Sequence, residues 1–236
     1  MQTILIINSK GGSGKTTLAT TIASYFASRN KKTAIMDYDP QGSSLHWLKI
    51  RSREANAIHA ADAATQKGTL MRSLQMYIPE NTEKLIIDAP AGVDGVLLQE
   101  MVKKADFIVI PVAPSIIDIH ATADFIKDLL LKGGVRKQKT NVAVVANRVR
   151  KTMPIYKPLE RFLQVLSLPF LTRLSDSDQY ILAAEKGTGI FEMDETDVAK
   201  ERKEFQPILN WLNPQADQQT ARAENVVNFG RLRTGV

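Results

Sequence analysis

The sequence contains no cysteine, and this absence excludes several classes of protein. Without thiols the chain forms no disulfide, binds no zinc through thiolates and holds no iron–sulfur cluster by cysteine ligands. Histidine is also scarce, because only His46, His59 and His120 are present and their spacing matches no metal motif. We therefore expect neither a disulfide scaffold nor a thiolate metal centre, and the composition is compatible with a reducing cytoplasm.

Long apolar runs are the second absence. A membrane-spanning helix needs about 18 or more apolar residues in succession, and no window of this sequence approaches that length. The apolar run at residues 4–7 is far too short for a signal peptide and has no basic segment before it. We expect a cytoplasmic protein that does not bind membranes, since the tail around residues 226–229 is also only weakly amphipathic.

Positive charge is present and unevenly distributed. The net charge is +6 with a pI near 9.4, and residues 127–151 alone carry eight basic residues and one acid, for a net charge of +7. The basic residues are Lys127, Lys132, Arg136, Lys137, Lys139, Arg148, Arg150 and Lys151. Charge of one sign in one place is typical of a surface that faces nucleic acid, although solvated loops and helix ends would also account for it.

Short β-branched apolar runs alternate with helical patterns along the chain. Continuous runs indicate strands that are buried on both faces, as in a parallel sheet. The runs span residues 3–8, 33–37, 84–90, 106–112 and 141–147, and helical patterns span residues 15–29, 119–134 and 201–213. This alternation predicts an α/β fold with a doubly wound, mostly parallel sheet and helices on both faces. We expect one domain over residues 1–213 and a polar, partly disordered tail over residues 214–236.

The loop between the first strand and the first helix, NSKGGSGKTT at residues 8–17, is glycine-rich. Such a loop directs successive backbone N–H groups at one point, and the helix N-terminus adds positive potential for phosphate. The usual phosphate-loop pattern requires a glycine where Ser9 stands, and it does not require the second lysine, Lys10. Close approach of the backbone is permitted by Gly11, Gly12 and Gly14.

Three side chains at the end of this loop fit a nucleotide and its metal. Lys15 would reach the β- and γ-phosphates, Thr16 would ligate Mg²⁺, and Thr17 would contact the α-phosphate. Glycine turns also join strands to helices for purely structural reasons. The GKTT sequence directly after a strand favours the phosphate-binding interpretation.

Three acids follow strands that we expect to end beside this loop. Asp88 ends an apolar strand, as a Walker-B aspartate does, and would hold Mg²⁺ through water. Asp37 and Asp39 end the preceding strand, and ligands collect at the carboxyl ends of such strands. One of this pair would support the metal shell while the other orients water. Alternatively, the DYDPQG stretch is only a turn, because Asp-Pro and Gln-Gly are common there.

Four motifs taken together resemble one family. KGGSGKTT, DYDPQG, IIDAPAG and IPVAPS, in this order and spacing, are similar to the ParA/MinD family of partition and positioning ATPases, over residues 2–191. The chain resembles the short branch that includes ParF and McdA proteins, since it shows no N-terminal DNA-binding domain. The resemblance implies a P-loop NTPase fold with a deviant Walker A loop that lacks the first glycine. It also implies that Lys10 reaches the partner's nucleotide across a dimer.

The resemblance further implies the roles of individual residues. Asp39 is expected to position the attacking water and Asp37 to assist at the metal with Thr16 and Asp88. Asn147 is expected to contact the adenine, with Arg148 beside it, and residues 173–192 to line the base pocket. The implied ATP-binding residues are Lys10, Gly11, Gly12, Ser13, Gly14, Lys15, Thr16, Thr17, Asn147 and Arg148. The candidate DNA surface is Arg148, Arg150, Lys151, Lys157 and Arg161.

The function implied is that of an ATP- and Mg²⁺-dependent homodimer. It would bind nucleoid DNA without sequence preference when ATP is bound, hydrolyse ATP slowly, and position a cargo through an adaptor protein that stimulates hydrolysis. Alternatives are a MinD-like ATPase that cycles on membranes and a nucleotide-gated scaffold with negligible hydrolysis. A metal-cluster carrier of the same fold would need the cysteines that are missing here.

Overall fold

The computed structural model of the chain describes residues 1–64, 76–131, 135, 140–150, 152 and 154–213. Two groups of sequence-based predictions fall outside these residues. One is the polar tail at residues 214–236. The other is most of the basic stretch, namely Lys132, Arg136, Lys137, Lys139 and Lys151.

A single sheet of parallel strands forms the centre of the described fold. Its seven strands lie in the order β3-β2-β4-β1-β5-β6-β7, and every neighbouring pair is parallel. The strands are β1 (Gln2–Ile6), β2 (Thr33–Asp37), β3 (Ile58–Asp62), β4 (Lys84–Asp88), β5 (Phe107–Val112), β6 (Asn141–Val149) and β7 (Phe170–Ser175). The predicted doubly wound α/β fold is confirmed.

The two strands that the sequence pattern did not predict are the two edges of this sheet. In β3 and β7 only one residue each is buried, whereas β2 is buried throughout. An edge strand has a neighbour on one side only and needs no continuous apolar run. The β3 sequence IHAAD and the β7 sequence FLTRLS therefore lack the signal that identified the five inner strands.

Helices cover both faces of the sheet, because alternate strand residues point to opposite sides. Ile4 and Ile6 of β1 pack on one side and Leu5 and Ile7 on the other. The helices are α1 (Lys15–Ser28), α2 (Ser43–Ile50), α3 (Gly95–Lys104), α4 (Ile116–Leu131), α5 (Tyr156–Val165), α6 (Asp178–Glu185) and α7 (Glu195–Leu212). Helices α1, α2, α6 and α7 share the Ile4 side, and α3, α4 and α5 share the Leu5 side.

Helix α7 closes the sheet as the apolar spacing predicts. Phe205, Ile208, Leu209 and Leu212 are all buried on the Ile4 side. The helix begins six residues before the predicted start at 201, because a short first turn, capped by the Asp194 side chain through the Thr196 N–H, precedes a kink at Val198 (φ −126°). Within the described part of the chain, no helix is long and apolar enough to span a membrane.

Candidate functional site

The carboxyl ends of the central strands meet at a cleft of about 460 Å³. In the register of the sheet, Asp88 of β4 lies opposite both Ile6 of β1 and Asp37 of β2, so the acids and the glycine-rich loop share one edge. The cleft is lined by Gly11, Gly12, Gly14, Lys15, Thr16, Thr17, Asp39, Ser43, Ala91, Asn147, Arg148, Ser175, Asp176, Ser177, Tyr180, Ile181 and Ala184.

The glycine-rich loop leaves the first helix N-terminus open towards the cleft. Gly14 precedes α1 in the left-handed conformation (φ 92°), and no side chain caps the helix there. The first N–H groups of a helix have no partner within it, and the helix dipole makes that end attractive to anions. The loop therefore presents unused backbone donors beside Lys15 and Thr16, as a phosphate site requires.

Asn8 anchors the loop, and the sequence pattern gave it no role. Its side chain is fully buried and donates to the Pro111 carbonyl (2.6 Å) and the Thr122 hydroxyl (3.1 Å). Its Oδ1 accepts from the Lys10 N–H (3.3 Å), so the start of the loop is tied to β5 and α4. An asparagine directly after a buried strand was the one available signal, since a buried amide needs several partners.

The two lysines of the loop have different environments. Lys15 is buried and its ammonium donates to the Lys10 carbonyl (3.0 Å). Burial lowers the pKa of Lys15, while the charges of Asp88 and Asp39 oppose that shift. Lys10 is only half-buried, and its ammonium makes no hydrogen bond or ion pair within the described residues.

Asp88 is a buried carboxylate without a hydrogen-bond partner. Neither of its oxygens makes a hydrogen bond of ordinary distance and angle to any group in the described ranges, although the Thr16 hydroxyl lies near enough to stabilise the charge. Burial, with a further contribution from Asp37, raises the pKa of Asp88 to about 7, and Thr16 and Lys15 partly oppose this. An unpartnered buried carboxylate beside a threonine hydroxyl fits the hard, oxygen-seeking ion Mg²⁺.

Magnesium in such a site takes much of its coordination from substrate phosphates and water. Within the described part of the chain, no group of three or more His, Asp or Glu side chains is placed to bind a metal ion. The buried Asp88 carboxylate beside the Thr16 hydroxyl fits a metal ion that takes its other ligands from a nucleotide and water.

Asp37, unlike Asp88, accepts several hydrogen bonds from neighbouring groups. Its Oδ2 accepts from the Ser44 hydroxyl (2.6 Å) and from the Ser44 and Leu45 N–H groups, and its Oδ1 accepts from the Asp39 N–H (2.9 Å). Asp37 thus caps α2 and fixes the loop that carries Asp39. Its predicted assistance at the metal stays a prediction, and these contacts show that its oxygens are already engaged.

Asp39 lies at the cleft, as its predicted role requires. It is partly exposed, and its Oδ1 accepts from the Gln41 N–H (3.0 Å). Because the Asp37 carboxylate holds the Asp39 backbone, the position of this acid is set by a buried residue. That its side chain orients water stays a prediction.

Asn147 touches the phosphate loop itself. Its amide donates to the Ser13 carbonyl (2.9 Å), and it is packed so closely on Gly14 that a Cβ there would stand 1.9 Å from the Asn147 Nδ2. Asn147 also lines the cleft, so its predicted contact with a base stays open, and the structure adds a support function. Arg148 follows in the left-handed conformation (φ 57°) at an irregularity of the β6–β7 register and lines the same cleft.

The far end of the cleft is formed by the segment from Ser175 to Ala184, within the predicted base-pocket range. Two glutamates of α7 hold this segment. The Glu204 Oε2 accepts from the N–H and hydroxyl of Ser175 (both 2.8 Å), and the Glu201 Oε1 accepts from the Ser177 hydroxyl (2.7 Å). The sequence gave no sign of either glutamate, because each acts on a segment more than twenty residues away.

The candidate DNA-binding residues divide into two pairs. Arg148 and Arg150 lie at the end of β6, and both form ion pairs with Asp176. Lys157 and Arg161 are exposed one helical turn apart on α5. The fifth candidate, Lys151, lies outside the described residues.

Comparisons with known proteins agree with this geometry. A family model for the CobQ/CobB/MinD/ParA nucleotide binding domain matches residues 4–190. Maintenance of carboxysome distribution protein A from Halothiobacillus neapolitanus is 27% identical over 192 residues, which are 81% of this chain and 87% of the relative.

Two solved structures show the same fold. McdA of Cyanothece in its ATP complex gives a TM-score of 0.68 at 16% identity, covering 88% of this chain and 96% of that one. The MinD cell division protein of Aquifex aeolicus gives a TM-score of 0.62 at 19% identity, covering 83% and 90%.

Gly14→Ala tests the contact between the loop and Asn147. The new methyl group must displace the Asn147 amide, and the left-handed backbone disfavours alanine. We expect the free energy of unfolding to fall by about 2 kcal/mol or more. Gly11→Ala is the control, because no atom lies within 4 Å of its Cβ position and its φ is not left-handed. Equal denaturation midpoints for the two variants would contradict the assignment.

Asp88→Asn tests the buried carboxylate in protein free of nucleotide and metal. The pKa is about 7 in the fold and 3.8 ordinarily, so the folded state retains a proton that the unfolded chain releases. The stability that this proton gives to the folded state is complete below about pH 4 and is lost as the pH rises through 7. The uncharged variant should therefore gain stability over wild type as the pH rises, by up to about 1.4 kcal/mol per unit.

The measurement is chemical denaturation at several pH values from 5 to 8. Asp178→Asn, which alters an exposed acid on α6, serves as control and should show no such trend. An advantage of Asp88→Asn that is the same at every pH would show that Asp88 is charged throughout.

Proposed function

The chain belongs to the CobQ/CobB/MinD/ParA family of nucleotide-binding domains, and we propose that it is an ATP-hydrolysing positioning protein of the ParA type. In this proposal it dimerises when ATP is bound, binds nucleoid DNA without sequence preference, and releases both on hydrolysis. The observation that carries the proposal is the meeting of an uncapped helix N-terminus and a buried lysine at one cleft, beside a buried carboxylate that makes no hydrogen bond within the described residues.

Binding of the phosphates is assigned to the loop and Lys15. The N–H groups of the loop and the α1 N-terminus face the phosphate oxygens, and Lys15 exchanges its bond to the Lys10 carbonyl for them. Because Lys15 is buried, its charge acts in a medium that screens it weakly. Loss of a single internal hydrogen bond is thus offset by a charge-assisted bond to phosphate.

Thr16 and Asp88 would hold Mg²⁺, which supplies positive charge to the phosphates during transfer. A cation at this point would also lower the pKa of Asp88 again, because it stabilises the charged carboxylate against the cost of burial. Asp39 orients water towards the γ-phosphate from the loop that Asp37 fixes. Single carboxylates in such positions act mainly by placing the nucleophile.

Dimerisation is proposed on two features of the surface. The Lys10 ammonium has no partner within the described residues, so it is available to a second subunit. An apolar patch of Ile116, Ile117, Pro154, Ile155 and Pro158 lies where the chain leaves β5, with Ile116 60% and Ile117 70% exposed. Adjacent isoleucines this exposed are typical of a surface that another protein covers.

The relatives support the choice of a positioning task. One is named for carboxysome distribution, another is a cell division protein, and McdA binds ATP in its solved complex. We extend this to the present chain as follows. It positions a large cargo (a plasmid, a chromosome or a protein assembly such as a carboxysome) through an adaptor that stimulates hydrolysis, in a cytoplasmic, nucleoid-associated population.

Lys10→Ala and Asp39→Ala separate assembly from hydrolysis. If Lys10 acts on the partner's nucleotide, Lys10→Ala should bind ATP·Mg²⁺ within a few-fold of wild type and fail to dimerise or hydrolyse. Asp39→Ala should dimerise and hydrolyse at least about a hundred-fold more slowly, because only the nucleophile loses its guide. Lys15→Ala, which removes the main phosphate cation, should lose ATP binding altogether.

Light scattering with a non-hydrolysable ATP analogue and a phosphate-release assay provide the readouts. A normal ATP-dependent dimer of Lys10→Ala would assign Lys10 to the solvated surface. Wild-type turnover by Asp39→Ala would remove it from the mechanism. A wild-type dimer with no measurable turnover would identify a nucleotide-gated scaffold.

Arg150→Glu tests DNA binding. Wild-type binding should require ATP, ignore sequence and weaken with salt, because each phosphate contact releases counterions with a slope of about −0.9 in log K against log salt. Arg150→Glu should weaken it several-fold and reduce the slope by about one. Lys103→Glu, on an exposed lysine of α3, changes the net charge equally and should have little effect. Equal DNA affinity with and without ATP would reject the switch.

A further inference from the structure

Asp176 joins two exposed arginines at the rim of the cleft. The Arg150 Nη2 lies 2.5 Å from the Asp176 Oδ2, and the Arg148 Nε lies 3.7 Å from the Asp176 Oδ1. The Asp176 N–H donates to the Val149 carbonyl between the two arginines (3.3 Å), which fixes the aspartate against the end of β6. One carboxylate thus partly neutralises two neighbouring guanidinium groups.

The partners differ in exposure. The Arg148 and Arg150 side chains are 59% and 66% exposed, whereas Asp176 is 28% exposed. The aspartate belongs to the Ser175–Ser177 segment, which Glu204 and Glu201 of α7 hold by hydrogen bonds. The Asp176 carboxylate is therefore held in place by its segment, whereas the arginine side chains are mostly exposed and less constrained. Ion pairs this accessible are weak, so another anion can take over the guanidinium groups.

Asp176 and Arg148 also line the cleft, so a ligand there touches the same charges. Arg148 lines the cleft while its side chain is 59% exposed, and Arg150 lies two residues further along the chain. One carboxylate therefore borders the cleft and also pairs with both arginines. Among the described residues, no ion pair joins Lys157 or Arg161 of α5 to a residue that lines the cleft.

We propose that Asp176 is an autoinhibitory residue that keeps Arg148 and Arg150 from a phosphate backbone in the nucleotide-free protein. This inference rests on the proposed function, since the partner that Asp176 keeps away from the arginines is the DNA that the nucleotide-bound state binds. The inhibition consists of competition between the Asp176 carboxylate and external phosphates for the two guanidinium groups. It requires no movement of the sheet or of α7.

Asp176→Asn against Asp178→Asn tests the inference. Both variants remove one negative charge two positions apart, but Asp178 is an exposed residue of α6 that pairs with neither arginine. DNA affinity is measured by fluorescence anisotropy, without nucleotide, over a range of salt concentrations. Asp176→Asn should bind about two- to five-fold more tightly at low salt, and its log K against log salt should steepen by about 1 to 2, as freed arginines make new phosphate contacts.

Asp178→Asn should leave the salt slope at the wild-type value. Equal slopes for the two variants would overturn the inference, because a mere change of net charge creates no new contacts. Adding Arg150→Gln to Asp176→Asn should remove most of the gain, and a gain that persists would also count against it. If Asp176→Asn does not fold, Asp176→Ser is compared with Asp178→Ser.

Retention on heparin separates this inference from the proposed function. If the wild type with ATP binds no DNA, the proposed function fails. The inference about masking is then decided by heparin, a sulfated polyanion, from which Asp176→Asn should elute at higher salt than Asp178→Asn. Equal elution would reject the masking whatever the DNA result.

Discussion

Two buried carboxylates, Asp37 and Asp88, occupy directly paired positions at the ends of β2 and β4, and the rest of the site depends on this arrangement. A buried charge is costly unless hydrogen bonds or a counter-ion compensate it. Asp37 obtains four such bonds from the start of α2 and from Asp39. Asp88 obtains none within the described residues, and its pKa is raised accordingly. The fold thus concentrates its electrostatic cost on the one residue that a metal–nucleotide complex would relieve.

The different roles of Asp37 and Asp88, side by side at one edge of the sheet, explain why the site is built from parallel strands. Parallel strands place every carboxyl end at the same edge, so a short loop from each strand delivers a different group to one point. The strands are held in register by the apolar layers on both faces, including the Phe205 layer of α7. The same helix bonds to Ser175 and Ser177 at the far end of the cleft. Packing of α7 and the shape of the cleft are therefore not independent.

The sequence allowed prediction of those parts in which one local signal determines the structure. The five inner strands were predictable from continuous apolar runs, and the closeness of Lys15 to Asp39 and Asp88 follows from the order of the strands. Contacts between distant segments were not predictable. Nothing in the sequence around Asn147 reveals that it supports Ser13, and nothing around Asp176 reveals its two arginines. Such pairs join the end of β6 to the loop before α1 and to the segment after β7, and no local pattern encodes contacts between segments so far apart in the sequence.

The missing first glycine of the loop has a physical explanation in the backbone. A glycine is strongly favoured where φ is positive, and within this loop Gly12 and Gly14 have a positive φ. Ser9 does not have a positive φ, so a side chain is admissible there, and its carbonyl accepts a hydrogen bond from the Gly92 N–H (2.8 Å) after β4. Of the two residues joined by this hydrogen bond, Gly92 in the neighbouring loop has the left-handed conformation (φ 70°) and Ser9 does not. Because Ser9 and Asn8 fix the loop from its first residues, the Lys10 backbone is engaged at both ends while its ammonium is unpaired among the described residues. The contact with a second subunit that we propose for Lys10 requires an ammonium group in this condition.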